Sequence, residues 1–218
     1  MESLAFLSYQ TADKAVAGQL KVILASAGIT AFLAHEDIAV SEEWRLKILE
    51  QIGRANIFIG LLSKNYFQSH WCVQESGIAA YRSDMTVIPL SLDGTIPQGF
   101  IANVQSVEVN PARISIRDLI PGFLKHDFAI GVELLTDLLA QSGGYRSAEA
   151  NFQMVLPHLP IMSDDQIKNL LEHSAENSQV HHAQLCARDY LPPLLKSHGH
   201  LLKRTTRSLL KKACAHYA

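Results

Sequence analysis

Two hydrophobic rhythms share the first two thirds of the chain. Leu4–Ser8 is a short apolar run with the length of a buried strand. Asp13 then reads as a helix N-cap, and Val16, Leu20, Ile23, Leu24 and Ala27 follow at helical spacing until Gly28 stops the helix. Residues 30–33 form a second strand pattern. A polar stretch from Ala34 to Val40 leads to Ser41, a second N-cap, with Glu42 and Glu43 in the first turn, where the helix dipole favours acids. Trp44, Ile48 and Ile52 continue that helix. Residues 56–62 are the most apolar run, which predicts a central strand. A third helix is expected over Trp71 to Tyr81. A fourth strand covers 86–90, with Pro89 at a strand end or bulge. A weaker fifth covers 104–109, and a closing helix runs from Val132 to Leu139.

Beyond Gln141-Ser142-Gly143-Gly144 the rhythm becomes helical throughout. Ser163 reads as an N-cap followed by Asp164 and Asp165, with Ile167, Leu170, Leu171 and Ser174 on one stripe. A helix is predicted from Val180 to Leu191, ended by Pro192-Pro193. A last one covers about Leu201 to His216, with Leu202, Leu209, Leu210, Ala213 and Tyr217 to one side.

Strands alternating with helices imply a parallel sheet covered on both faces. The expected fold is therefore α/β over residues 1–145, a flavodoxin-like five-stranded parallel sheet, followed by an all-helical region over residues 146–218. In such sheets ligands bind beyond the carboxyl ends of the strands, where the strand order reverses. That directs attention to Ser8–Asp13 and Ser63–Glu75.

Composition narrows the class. The 218 residues carry 48% apolar and 18% charged side chains, enough for a packed core. A net charge of −2 argues against a nucleic-acid coat, although it divides unevenly: 10 Lys+Arg against 15 Asp+Glu up to residue 145, and 9 against 6 after it. No apolar run has the length of a membrane span. The opening MESLAFLSYQ has no basic leader or small-residue cleavage site, so no secretory signal is expected. Cys72, Cys186 and Cys214 are few and scattered, which fits a reducing compartment. The expected location is the cytoplasm.

Several chemistries are excluded by the crevice segments. Ser8-Tyr9-Gln10-Thr11-Ala12-Asp13 contains no glycine, so it is neither a dinucleotide cradle nor a P-loop. No G-x-S-x-G elbow occurs. His181-His182 and His198-x-His200 have no supporting Cys or carboxylate cluster and read as solvated histidines; no metal and no cofactor are expected.

Ala5-Phe6-Leu7-Ser8-Tyr9, then Phe32-Leu33-Ala34-His35-Glu36-Asp37-Ile38 with Ser41-Glu42-Glu43-Trp44, resemble the first two boxes of a TIR domain of bacterial type. Ser69-His70-Trp71-Cys72-Val73-Gln74-Glu75 resembles its third landmark, and Val87-Ile88-Pro89-Leu90 its fourth strand. The resemblance spans about residues 1–140. It implies Glu75 as the catalytic residue of an NAD+ glycohydrolase or cyclase, with Ser8, Tyr9, Gln10, Ser41, Trp44 and Trp71 about the substrate. It also implies TIR–TIR self-association. By this likeness to NADases of antiphage defence such as Thoeris, the product is an ADP-ribose-derived signal for a separate effector. NAD+ enters as substrate. Ala34 stands where many members carry an acid, which keeps a second reading open: a non-catalytic adaptor acting through self-association.

The chemistry is coherent with these residues. Nicotinamide in NAD+ is already a cationic leaving group and departs neutral, so no general acid is required. One carboxylate can stabilise the oxocarbenium-like ribose and steer the acceptor. Trp71 and Glu75, at i and i+4 of a helix, share a face. Trp71 reads either as a stacking wall or as a core aromatic, Trp44 as a lid aromatic or a core residue, and Cys72 as a small buried hydrophobe. In the helical region, Lys203, Arg204, Arg207 and Lys211 flank an apolar stripe. Such a helix packs on its own domain or binds an anionic partner.

Overall fold

A computed structural model describes residues 3–34 and 44–217. Ser41, and with it His35, Glu36, Asp37, Glu42 and Glu43, lies outside the described residues.

Five parallel strands form one sheet in the order β2-β1-β3-β4-β5: β1 Leu4–Ser8, β2 Thr30–Leu33, β3 Ile57–Leu62, β4 Thr86–Ser91 and β5 Val107–Glu108. Every residue of β3 is buried, as are the last four of β1, in keeping with apolar runs covered on both faces. Phe6 lies between Phe32 on one neighbour and Phe58 on the other, at ring-centroid distances of 5.5 and 6.0 Å. The helices of this part are α1 Lys14–Ser26, α2 Trp44–Arg54, α3 His70–Tyr81 and α4 Ile116–His126. Gly28, at φ +73°, ends α1 as expected.

Local chemistry departs from expectation in four places here. Asp13 makes no side-chain cap on α1; Gln10 caps the short 3-10 turn Thr11–Asp13 through Ala12 N, at 2.6 Å, and Asp13 turns elsewhere. Pro89 stands inside β4, in register with Gly60. Thr86 and Leu92 donate to the β3 side, so the odd-numbered Pro89 faces the other way, and pairing with β5 begins only at Leu90. The missing amide therefore breaks no ladder bond. The fifth strand contracts to two residues. Finally, α4 was not foreseen.

Contacts divide the chain into two compact units, Met1–His126 and Asp127–Ala218. The second contains α5 Phe128–Ala140, α6 Tyr145–Val155, α7 Asp164–Glu176, α8 Ser178–His181, α9 Leu191–His198 and α10 Arg204–Ala215. The helix expected to close the sheet part is α5, which packs on α6 and α7. Ser163 caps α7 with a reciprocal bond from Gln166. Pro192 and Pro193 do not end a helix: helical backbone runs from Gln184 through a wider turn over Cys186–Tyr190 directly into α9, with the prolines just beyond that turn, and the helix expected from Val180 starts as the short α8. Leu210 and Ala213 bury the stripe of α10, whereas Leu209 is exposed. His181 is buried, with Nδ1 3.0 Å from the Ser174 carbonyl, rather than solvated. Among the described residues no helix is long and apolar enough to cross a membrane, and no group of three or more His, Cys, Asp or Glu is arranged for a metal.

Candidate functional site

The order of strands reverses between β1 and β3. Their carboxyl ends meet with Ser8 opposite Gly60 in the ladder. The loops that follow are tied across the gap by Ser63, whose Oγ donates to Asp13 Oδ2 at 2.7 Å.

Above β3 the chain makes a 3-10 turn, Tyr66–Gln68, and enters α3, whose amide at Cys72 is accepted by Ser69 Oγ at 3.4 Å. The buried residues of α3 are Cys72, Glu75, Ser76 and Ala79, the i, i+3, i+4, i+7 pattern of an inward stripe. A glutamate on that stripe is unusual, because desolvating a charge is costly unless it is paired. Glu75 is 1% exposed.

Its surroundings are hydroxyls. Ser8 Oγ lies 2.5 Å from Glu75 Oε2, and 2.8 Å from the phenolic oxygen of Tyr66. That phenol is 2.9 Å from Ser76 Oγ, which donates to the Cys72 carbonyl at 2.7 Å. All these groups are buried. Glu75 Oε1 is buried too and has no hydrogen-bond partner among the described residues. Burial pushes the Glu75 carboxyl up to about 7, against the opposing effect of the Ser8 bond. Burial likewise raises Tyr66 far above its ordinary range and Cys72 to about 11. The cluster is thus poised to change charge near neutrality at one group, Glu75.

Tyr66 reaches Ser8 because β3 carries a glycine beneath it. A β-carbon on Gly60 would stand 3.3 Å from the phenolic oxygen and 3.4 Å from the Phe58 ring.

The residues expected at the site fall into distinct places. Ser8 and Glu75 meet directly. Tyr9 is fully buried just after β1. Gln10 is half-buried and spends its side-chain carbonyl on the cap at Ala12 N. Trp71 is half-buried against the core cluster that includes Phe6, Ala34, Ile48 and Phe58. Trp44 opens α2 one turn before Ile48 on the same face, and at this helix end it is 39% exposed. Cys72 is fully buried beside Leu62, Tyr66 and Ile101. Sequence reasoning did not single out Tyr66 or Ser76. Tyr66 sits within the segment flagged after β3, and Ser76 directly follows Glu75; neither carries a spacing that marks it.

A sequence profile described as the TIR domain matches residues 5–120. The crystal structure of the TIR domain of the Toll-related receptor TRR-2 from the lower metazoan Hydra magnipapillata is similar over 58% of this chain and 96% of that one, at 20% identity and a TM-score of 0.45. No protein of curated function matches the chain.

Proposed function

The chain belongs to the TIR domain family, and we propose that within it this protein is an enzyme that cleaves nicotinamide from NAD+, with Glu75 as the catalytic carboxylate. The family includes both NADases and adaptors, and the site supports the enzyme reading. The observation that carries it is a glutamate buried at the strand-order reversal with one oxygen unpartnered. Packing alone gives no reason to keep such a group, and perturbed titratable residues in ligand-binding clefts mark functional sites.

In this reading the C1′–N bond of the nicotinamide riboside breaks and its electron pair passes to the pyridinium nitrogen, releasing neutral nicotinamide. The Glu75 carboxylate faces the ribose and offsets the positive charge that develops there. Water at C1′ gives ADP-ribose and releases a proton; an internal adenine nitrogen or ribose hydroxyl gives a cyclic product. The resemblance of the first two boxes to the bacterial type extends the proposal to a diffusible ADP-ribose-derived signal in antiphage immunity of the Thoeris kind, read by a separate effector.

One observation favours the adaptor. Tyr81 and Phe100 are 90% and 85% exposed, and TIR domains commonly self-associate.

Incubation of concentrated protein with NAD+, beside Glu75→Gln, tests the reading by product analysis. Nicotinamide released by the parent and not by the variant supports the enzyme, and the mass of the second fragment identifies the acceptor. Equal release by both removes Glu75 from the reaction. Release by neither, repeated in cells under phage challenge, favours the adaptor.

A further inference from the structure

The hydroxyl chain at Glu75 permits a proton count. It has four contacts: Glu75–Ser8, Ser8–Tyr66, Tyr66–Ser76 and Ser76–Cys72 carbonyl. The last member is an acceptor only. When Glu75 is protonated, four O–H groups serve four contacts. The carboxyl donates to Ser8, Ser8 to Tyr66, Tyr66 to Ser76, and Ser76 to the carbonyl. When Glu75 is ionised, three O–H groups remain. Ser8 then donates to the carboxylate and Tyr66 to Ser8, and Ser76 must choose between Tyr66 and the Cys72 carbonyl. One contact is lost, inside a region where an unmade hydrogen bond is expensive.

We propose that Tyr66 and Ser76 are positioning residues which, acting through Ser8, hold Glu75 in a protonated resting form that ionises when a ligand hydroxyl donates to its unpartnered Oε1. On ionisation one proton passes to solvent, the Ser8 and Tyr66 hydroxyls turn to donate toward the carboxylate, and Ser76 keeps one of its two acceptors. An alcohol is the chemistry that fits, and a sugar hydroxyl is one: a single O–H supplies the donor that Oε1 lacks. The catalytic use of this switch rests on the NADase reading; the proton count does not.

Other titratable groups facing the carboxyl do not compete with this assignment. They are Tyr66, from the turn above β3, and Cys72, one turn earlier on α3. Both are neutral through the physiological range. Ser8 on β1 and Gly60 on β3 do not titrate. Among the described residues no lysine, arginine or histidine contributes to the carboxyl.

The proposal makes predictions of opposite sign. Removing Tyr66 or Ser76 cuts the chain in its protonated sense and leaves the ionised sense satisfied. Removing Ser8 takes away the one donor that the carboxylate has among the described residues. The test is carbon-13 NMR of the whole chain labelled at glutamate side-chain carboxyls, with the Glu75 signal assigned by its absence in Glu75→Gln. Tyr66→Phe and Ser76→Ala are each expected to lower the midpoint of Glu75 by about one pH unit, a tenfold change in proton affinity. Ser8→Ala is expected to raise it. Ser76→Thr, which keeps the hydroxyl, restores the parent midpoint. A midpoint that is unmoved in Ser76→Ala, or lowered equally in Ser76→Thr, overturns the proposal, the second by showing that disturbed packing is the cause. Nicotinamide release measured on the same samples separates the two claims: a chain that titrates as described while NAD+ stays intact, here and in cells under challenge, counts against the enzyme and leaves the switch standing.

Discussion

The phenolic oxygen of Tyr66 sits 3.3 Å from where a β-carbon on Gly60 would be. The strand is built to admit the ring. Tyr66 is fully buried and its hydroxyl is held between Ser8 and Ser76, so it has no room to withdraw. Gly60→Ala is therefore expected to destabilise the protein by about 1–2 kcal/mol, overpacking outweighing the small gain from a stiffer unfolded chain. The measurement is the denaturant midpoint. A stabilised variant would show that the ring can move.

Glu75 makes stability depend on pH in an unusual direction. Its folded value is raised to about 7 from an ordinary 4.5. Between those two values the native state holds a proton that the unfolded chain has lost. The contribution of this group is complete below pH 4.5 and is lost as pH rises through 7. The change amounts to about 3 kcal/mol. Glu75→Gln, a neutral mimic of the acid, removes the dependence. Unfolding free energies of the two proteins, measured from about pH 4.5 to pH 8, should converge at the acid end and separate toward the alkaline end, the variant being the more stable. A difference independent of pH would contradict the assignment.

Much of the sheet was legible because its signals are local. The runs at Leu4–Ser8 and Ile57–Leu62 are continuous and buried on both faces, so length and apolarity sufficed. Ser163 and Gln166 form a reciprocal cap that four consecutive positions specify. By contrast, Ile116, Leu119, Ile120 and Phe123 have helical spacing, yet Pro121-Gly122 interrupts the run and hides α4. Pro192-Pro193 reads as a helix end, yet the wider turn over Cys186–Tyr190 lets helical backbone pass through it, and nothing in the local sequence announces that turn. The site divides in the same way. Glu75 stood out through a motif. Ser8 stood out by its place at the end of the first strand, but Tyr66 and Ser76 did not, because they share no periodicity with it and meet it only through the register of β1 on β3.

The bond from Ser63 to Asp13 fastens the loop after β3 to the loop after β1. Ser63 is buried, so its loss leaves a carboxylate oxygen short of a donor. Ser63→Ala should cost about 1 kcal/mol in equilibrium unfolding. Ser63→Thr, which keeps the hydroxyl, should recover most of it. Equal losses in both variants would assign the effect to packing.

Asn177 works at both ends of its amide. Nδ2 donates to the carbonyls of Ala140, at 2.7 Å, and Ser142, at 3.0 Å, while its oxygen accepts from Gln179 N at 2.8 Å and caps α8. The carbonyl of Ala140 is one of those left over at the end of α5. Asn177→Asp keeps the cap and replaces two donors with a charge facing two carbonyls. A loss of about 2–3 kcal/mol is expected in urea titration. Asn177→Ser, which retains only a cap, should lose about as much. If the aspartate variant were as stable as the parent, the carbonyl contacts would be without energetic weight.

The proline in β4 bears on how the sheet comes to an end. Pro89 is buried, and its nitrogen, on the side away from β3, has no hydrogen to donate. Pairing with β5 starts only at the next residue, so an ordinary residue here would bury an amide for which the ladder holds no acceptor, and such an orphan is costly. Proline removes the donor instead of finding it a partner, and the sheet can stop at a two-residue strand without an unmet hydrogen bond at that step.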